Sequence, residues 1–179
     1  MKRFSALTFR SLVLLILFIS CIGHPTQLVH AIDSNPVPEL ELGFDSQTTC
    51  NVLLEPIRPG ASNSRILKLD CGVGSQVSSP NFDLNTSYFI AIFYDNTGFD
   101  KVLFSYYGPT QCSATVSYGV GQLSSTCDNR ISSGSGYSGC NNIYVYDSPN
   151  YAGDSVSCFA NCSGFGSLND RVTSWKVTN

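Results

Sequence analysis

Histidine is nearly absent from this sequence, and both copies, His24 and His30, fall within the first 31 residues. Those residues read as a secretory leader. Lys2, Arg3 and Arg10 flank or precede an apolar run from Leu12 to Ile19, and the VHA stretch (Val29–Ala31) offers a cleavage site. Cleavage after Ala31 leaves a chain with no imidazole at all. That excludes Ser–His and Cys–His dyads and zinc sites built on histidine. Long apolar runs are missing as well. The leader run is too short to cross a bilayer comfortably, and no other segment approaches the roughly 20 apolar residues of a membrane helix. The FISC stretch (Phe18–Cys21) loosely resembles a bacterial lipoprotein site, with Phe where Leu is usual. Free secretion is therefore the expectation, and a lipid anchor through Cys21 the alternative.

Basic side chains are scarce. Once the three leader cations are gone, seven basic and thirteen acidic side chains remain, for a net charge of −6. An acidic surface without Lys/Arg clusters argues against nucleic acid or anionic membranes as partners. No Cys-x-x-Cys pair occurs, so zinc ribbons and thioredoxin-like sites lack their motif. No two carboxylates stand out as a glycosidase acid and nucleophile, and the SYGVGQ stretch (Ser117–Gln122) has no P-loop lysine. The expectation from these absences is that the chain is not an enzyme.

Cysteine, by contrast, is plentiful. Eight are present; with Cys21 in the leader, seven remain: Cys50, Cys71, Cys112, Cys127, Cys140, Cys158 and Cys162. In a secreted chain these read first as disulfides. Cys50 and Cys71 end two candidate strands, CNVLLEPI and RILKLDC, which turn signals at Pro59-Gly60 and Asn63-Ser64 separate. A Cys50–Cys71 bridge would tie that hairpin, and a Cys158–Cys162 bridge would close a short local loop. One further bridge is expected among Cys112, Cys127 and Cys140. Residues 32–87 thus read as an N-terminal extension holding a β-hairpin. From Tyr88 onward, β-branched and aromatic runs such as YFIAIFY and NIYVYD alternate with Gly, Asn, Asp and Ser, and no helical period is sustained. Residues 88–179 read as one all-β domain with sandwich-like spacing. Two N-glycosylation sequons, NTS (Asn85–Ser87) and NCS (Asn161–Ser163), carry meaning in a eukaryotic secretory pathway.

The domain also contains an internal repeat. Its first half has YDNTGFDK followed by DNRISS, and its second half has YDSPNYAG followed by NDRVTS. Tyr94 and Phe99 are spaced as Tyr146 and Tyr151 are. The first half is longer between the aromatic and the polar hexad, and the surplus falls within residues 105–122. Tyr94, Phe99, Tyr146, Tyr151 and Trp175 read as packing residues.

These paired motifs resemble the βγ-crystallin family, whose Greek keys carry an aromatic, four residues, an aromatic, one residue and a glycine. YDSPNYAG matches in full; YDNTGFDK matches except for Lys101 at the glycine position. Both hexads match the family's calcium-binding arch, Asn/Asp twice, two variable residues, Ser/Thr, then Ser. The resemblance covers about residues 88–179 and implies an all-β, βγ-crystallin-like double Greek-key sandwich, here with the β-hairpin extension. It implies calcium as the cofactor, since calcium takes about six to eight oxygens from carboxylates, hydroxyls, carbonyls and water. Hydroxyl ligands fall at Ser132 and Thr173, and crossing side-chain ligands at Asn129 and Asp170. Backbone carbonyls come from Arg130, Arg171, Asp95 and Asp147. Asn129 is neutral where an acid would bind more tightly, and its neighbour Asp128 offers the charge instead. Ser133 and Ser174 are expected to tie each arch to its hairpin.

The same hexads also suit purely structural turns, in which Asp, Asn and the hydroxyls satisfy backbone groups. The leading functional expectation is a secreted calcium-binding module stabilised by its metal. A secreted metalloprotease inhibitor, with an extracellular protease as partner, is the alternative, because disulfide-tied loops surround Cys112 and Cys158. A toxin or carbohydrate-binding module on the same fold comes third. Fold does not decide among these.

Overall fold

The computed structural model describes residues 48–73, 86–125 and 127–179. The leader with Cys21, residues 32–47 and residues 74–85 of the extension lie outside the described residues. Among the described residues there are ten strands, two short 3-10 turns and no α-helix. The strands are β1 (Thr48–Leu54), β2 (Ile66–Val73), β3 (Tyr88–Tyr94), β4 (Val102–Gly108), β5 (Tyr118–Val120), β6 (Ser133–Gly136), β7 (Asn142–Ser148), β8 (Ala152–Phe159), β9 (Asn161–Cys162) and β10 (Ser174–Thr178).

They form two sheets, one in the order β2-β1-β4-β3-β6-β9 and the other β5-β10-β7-β8. The first half of the repeat contributes β3 to β6 and the second half β7 to β10. Each half gives its third strand away. β5 crosses to pair with β10, Trp175 opposite Val120, and β9 crosses to pair with β6, Cys162 opposite Gly134. This reciprocal exchange makes the chain a βγ-crystallin-like double Greek-key sandwich. The surplus length of the first half lies where the sequence placed it: residues 109–117 separate β4 from β5, where Ala160 alone separates β8 from β9.

The hairpin of β1 and β2 extends the first sheet. β1 runs parallel to β4, Val52 opposite Tyr106, and antiparallel to β2. Its TTCNVLL sequence alternates, so Cys50, Val52 and Leu54 point inward and are buried. The turn beyond β1 also reaches the other sheet. Gly119 N–H donates to Ser64 Oγ at 3.2 Å, and Ser64 N–H donates to the Gly119 carbonyl at 2.9 Å.

The same period-two logic builds the centre. Trp175 and Val177 on β10 and Ile143 and Val145 on β7 are fully buried, while Lys176 points away. Trp175 lies 4.5 Å from Tyr106 and 5.0 Å from Phe93, ring centre to ring centre, joining the two sheets. Each such aromatic pair contributes about 0.5–1.5 kcal/mol beyond the area it buries. Burial also pushes the Tyr106 phenol far above its ordinary range, although the Trp175 indole partly opposes this.

Three disulfides staple the described chain: Cys50–Cys71 across β1 and β2, Cys158–Cys162 between β8 and β9, and Cys112–Cys140. The first two are the expected pairs. The third resolves the remaining trio; Cys127 is buried in the core. Cys112–Cys140 anchors the surplus segment of the first half to the start of the second.

Candidate metal centre

Each half opens on a folded hairpin. The rings of Tyr94 and Phe99 meet edge to face at 5.7 Å, and those of Tyr146 and Tyr151 do the same at 5.7 Å. In both, the second aromatic and the residue two further on are left-handed: Phe99 and Lys101 at φ 64° and 62°, Tyr151 and Gly153 at φ 62° and 76°. Lys101 therefore keeps the conformation of the glycine it replaces, at a cost of about 1–2 kcal/mol for a residue with a Cβ. Its ammonium pairs with the Asp95 carboxylate. In the second hairpin a Cβ on Gly153 would collide with the Asp147 carboxylate and the Ser148 hydroxyl.

The last serine of each hexad holds the arch to this hairpin, as expected. Ser133 Oγ donates to the Asn96 carbonyl at 2.6 Å and accepts from Phe99 N–H at 3.2 Å. Ser174 Oγ donates to the Ser148 carbonyl at 2.7 Å and accepts from Tyr151 N–H at 3.1 Å. One residue earlier, Ser132 N–H donates to the Tyr94 carbonyl at 2.9 Å, and Thr173 N–H donates to the Tyr146 carbonyl at 2.8 Å. These bonds set Asp95 and Asp147, each next in sequence to the accepting tyrosine, beside the hydroxyl-bearing residue of the nearby arch.

The two arches then meet. Asn129 and Asp170, the second residue of each hexad, are both left-handed, at φ 60° and 55°. Asn129 N–H donates to the Val172 carbonyl and Asp170 N–H to the Ile131 carbonyl, each at 3.2 Å. Ser132 Oγ donates to Asp170 Oδ1 at 2.7 Å and accepts from Asp170 N–H at 3.2 Å. On the other side Thr173 Oγ1 donates at 2.7 Å, but to Asp128 Oδ1. The crossing residue of the first arch is thus Asp128, where the resemblance points to Asn129. Its counterpart in the second arch, Asn169, turns inward and accepts from Phe165 N–H at 2.7 Å, closing the short turn Gly166–Leu168. An acid at 128 and an amide at 169 account for the asymmetry: the carboxylate crosses to a hydroxyl donor, and the amide oxygen caps its own turn.

The arginines turn away from the arches. Arg130 grips Asp95 through Nε and Nη2, both at 3.1 Å, and Arg171 Nη2 reaches Asp147 at 2.7 Å. Partial burial raises the proton affinity of Asp95, but the hydrogen bonds and charges of Arg130 and Lys101 outweigh it and hold the carboxyl below its ordinary range.

The donor set suits a hard cation. Ser132 and Thr173 are nearly buried, at 3% and 6% exposure, and the hydroxyl of each touches a carboxylate of the opposite arch. No three His, Cys, Asp or Glu side chains converge among the described residues. A metal here would therefore take one carboxylate and one hydroxyl per site, with carbonyls and water completing an oxygen shell. Thiolate- or imidazole-seeking metals find no partner in that set.

No protein-family model and no curated protein sequence matches the chain. Among solved structures, the N-terminal domain of protein S aligns at 21% identity, covering 50% of this chain and 96% of that one, with a TM-score of 0.38. The fold assignment rests on the exchanged strands themselves.

Proposed function

We propose that this protein is a secreted calcium-binding module in which metal held between the two arches stabilises the sandwich. The observation that carries this reading is the pair of cross-arch contacts, Ser132 with Asp170 and Thr173 with Asp128, in which a buried hydroxyl meets a carboxylate from the other half. A hydroxyl that satisfied only its own turn would have no need of a carboxylate from another. Ser132 and Asp170 would hold one ion, and Thr173 and Asp128 the other. Carbonyls of Arg130, Arg171, Asp95 and Asp147 would complete each shell, while Arg130 and Arg171 keep their charges on Asp95 and Asp147. Bound calcium supplies a divalent charge that only the folded chain can surround. Its affinity should resemble that of extracellular calcium modules, with a dissociation constant of about 10⁻⁴–10⁻³ M. Secretion is supported by the leader pattern in the sequence and by three disulfides in the described chain. We propose no catalytic turnover.

Calcium titration by calorimetry, paired with melting in calcium and in chelator, tests this. Heat of binding and a calcium-dependent rise in melting temperature are expected. Identical melting curves, with no heat, would reduce the hexads to polar turns. A protease panel on the same sample distinguishes the alternative: inhibition without metal response would turn the reading toward an extracellular protease as partner.

A further inference from the structure

The loop between β8 and β9 carries a feature that the arches do not use. Phe159 is the most solvent-exposed large apolar side chain of the described residues, at 70%. It ends β8, an edge strand, opposite Asn142. Leaving a phenylalanine ring in water forfeits the free energy of burying it, so a ring held there invites a covering group. Two residues on stands Asn161, the acceptor position of the NCS sequon, and two further on its serine, Ser163. Exposure alternates along the segment: Phe159, Asn161 and Ser163 are exposed, whereas Cys162 is buried and Ala160 half-buried. The ring, the amide and the sequon serine therefore all stand in solvent. Ala160, at φ 59°, makes the turn between them, and the Cys158–Cys162 disulfide closes it.

We propose that Asn161 is an N-glycan acceptor and that Phe159 is the platform on which the first N-acetylglucosamine rests. The sugar's axial C–H face packs on an aromatic ring, and its amide-linked carbon is fixed to a residue two positions away across a tight turn. In the transfer step, Asn161 Nδ2 bonds to the anomeric carbon of an oligosaccharide carried on a polyprenyl pyrophosphate. The bond from that carbon to the pyrophosphate oxygen breaks, the electron pair leaves with the lipid pyrophosphate, and the amide nitrogen releases one proton. No oxidant or reductant is required. Transfer precedes the docking of β9 on β6, because the acceptor segment must enter an enzyme site before Asn161 pairs with Ser135. Asn161 stands on β9, the edge strand of the six-stranded sheet, so the glycan would cap that free edge.

The test is secretion of the full chain from a eukaryotic cell line, with a host leader substituted if its own does not export it. Peptide mass spectrometry should find Asn161 glycosylated in the wild type and bare in Ser163→Ala. Trimming the glycan to its first sugar should leave the melting temperature unchanged. Complete removal should lower it by about 2–4 °C, and Phe159→Ser should lose at least half of that difference. A secreted protein whose Asn161 is unmodified overturns the assignment. A glycosylated protein that melts identically after trimming and after complete removal overturns the role of Phe159.

Discussion

In the second Greek key the hairpin is closed by Gly153, and the Tyr151 hydroxyl is buried against Gly119 of the exchanged strand β5, without a hydrogen-bond partner among the described residues. In the first key Lys101 takes the glycine's place and its left-handed conformation, and Phe99 is 38% exposed. The second arch crosses with its second residue, Asp170, and the first with its first residue, Asp128. What the keys share is the backbone frame: a serine accepting from the hairpin and donating to it, and a tyrosine carbonyl taking the arch N–H. The frame is made of main-chain groups and one serine hydroxyl in each key. Side chains around it are free to vary wherever an ion pair or a neighbouring acid can do the same work.

The comparison can be broken hardest at the disulfides. Cys112–Cys140 closes a loop with a separation of 28 residues and holds the surplus segment of the first key; Cys158–Cys162 spans only 4. Loop-closure entropy predicts that Cys112→Ala/Cys140→Ala costs about 3–4 kcal/mol and Cys158→Ala/Cys162→Ala about 2 kcal/mol. Urea denaturation of both double variants checks the order, and equal losses would show that loop size does not govern it.

Calcium sharpens the contrast next. At a concentration about 100 times the dissociation constant, each independent site is worth about 2.7 kcal/mol. Asp170→Ala and Ser132→Ala should weaken one site, with the double variant costing less than the sum; Asp128→Ala and Thr173→Ala should weaken the other. Asn129→Ala should leave the metal response nearly intact. Calorimetry that finds Asn129→Ala as damaging as Asp128→Ala would restore the family's usual crossing residue.

The hairpins come third. Gly153→Ala should cost about 2 kcal/mol or more, because the left-handed backbone and the collision with Asp147 and Ser148 add. Lys101→Gly should raise stability by up to about 1 kcal/mol, relief of strain outweighing the loss of a part-exposed ion pair. A destabilised Lys101→Gly in thermal melts would mean that the lysine's pairing, not its backbone, sets the balance.

The smallest effect is in acid. Asp95 is held below its unfolded value, so its contribution is complete above about pH 4–5 and fades as pH falls through the lower folded value. Asp95→Asn should therefore flatten the fall in melting temperature below about pH 4, while stability at neutral pH drops slightly. An unchanged acid limb would exclude the Arg130–Asp95–Lys101 cluster as its source.

Much of this was legible in the chain, for identifiable reasons. Aromatic spacing, the glycine of the second hairpin and both hexads are local patterns, so the repeat and the all-β class could be read directly, and the serine ties followed from the resemblance those patterns carry. Cys50–Cys71 and Cys158–Cys162 were readable because their partners are close in sequence or end adjacent strands. The parallel pairing of β1 with β4 was not, since nothing local in TTCNVLL says which strand edge it will meet. The choice of Asp128 over Asn129 shows only in the contact with Thr173, 45 positions away in sequence, a tertiary effect. The retreat of Arg130 and Arg171 onto Asp95 and Asp147 is likewise set by three-dimensional neighbours.

The exchanged strands have a consequence for synthesis. β5 leaves the ribosome well before β10, its only sheet partner among the described residues. β10 also fills the middle of its sheet, between β5 and β7, so that sheet has no centre until Ser174–Thr178 emerge. The first key likewise waits for β9 to flank β6. The exchange therefore leaves both halves open until β9 and β10 have been made.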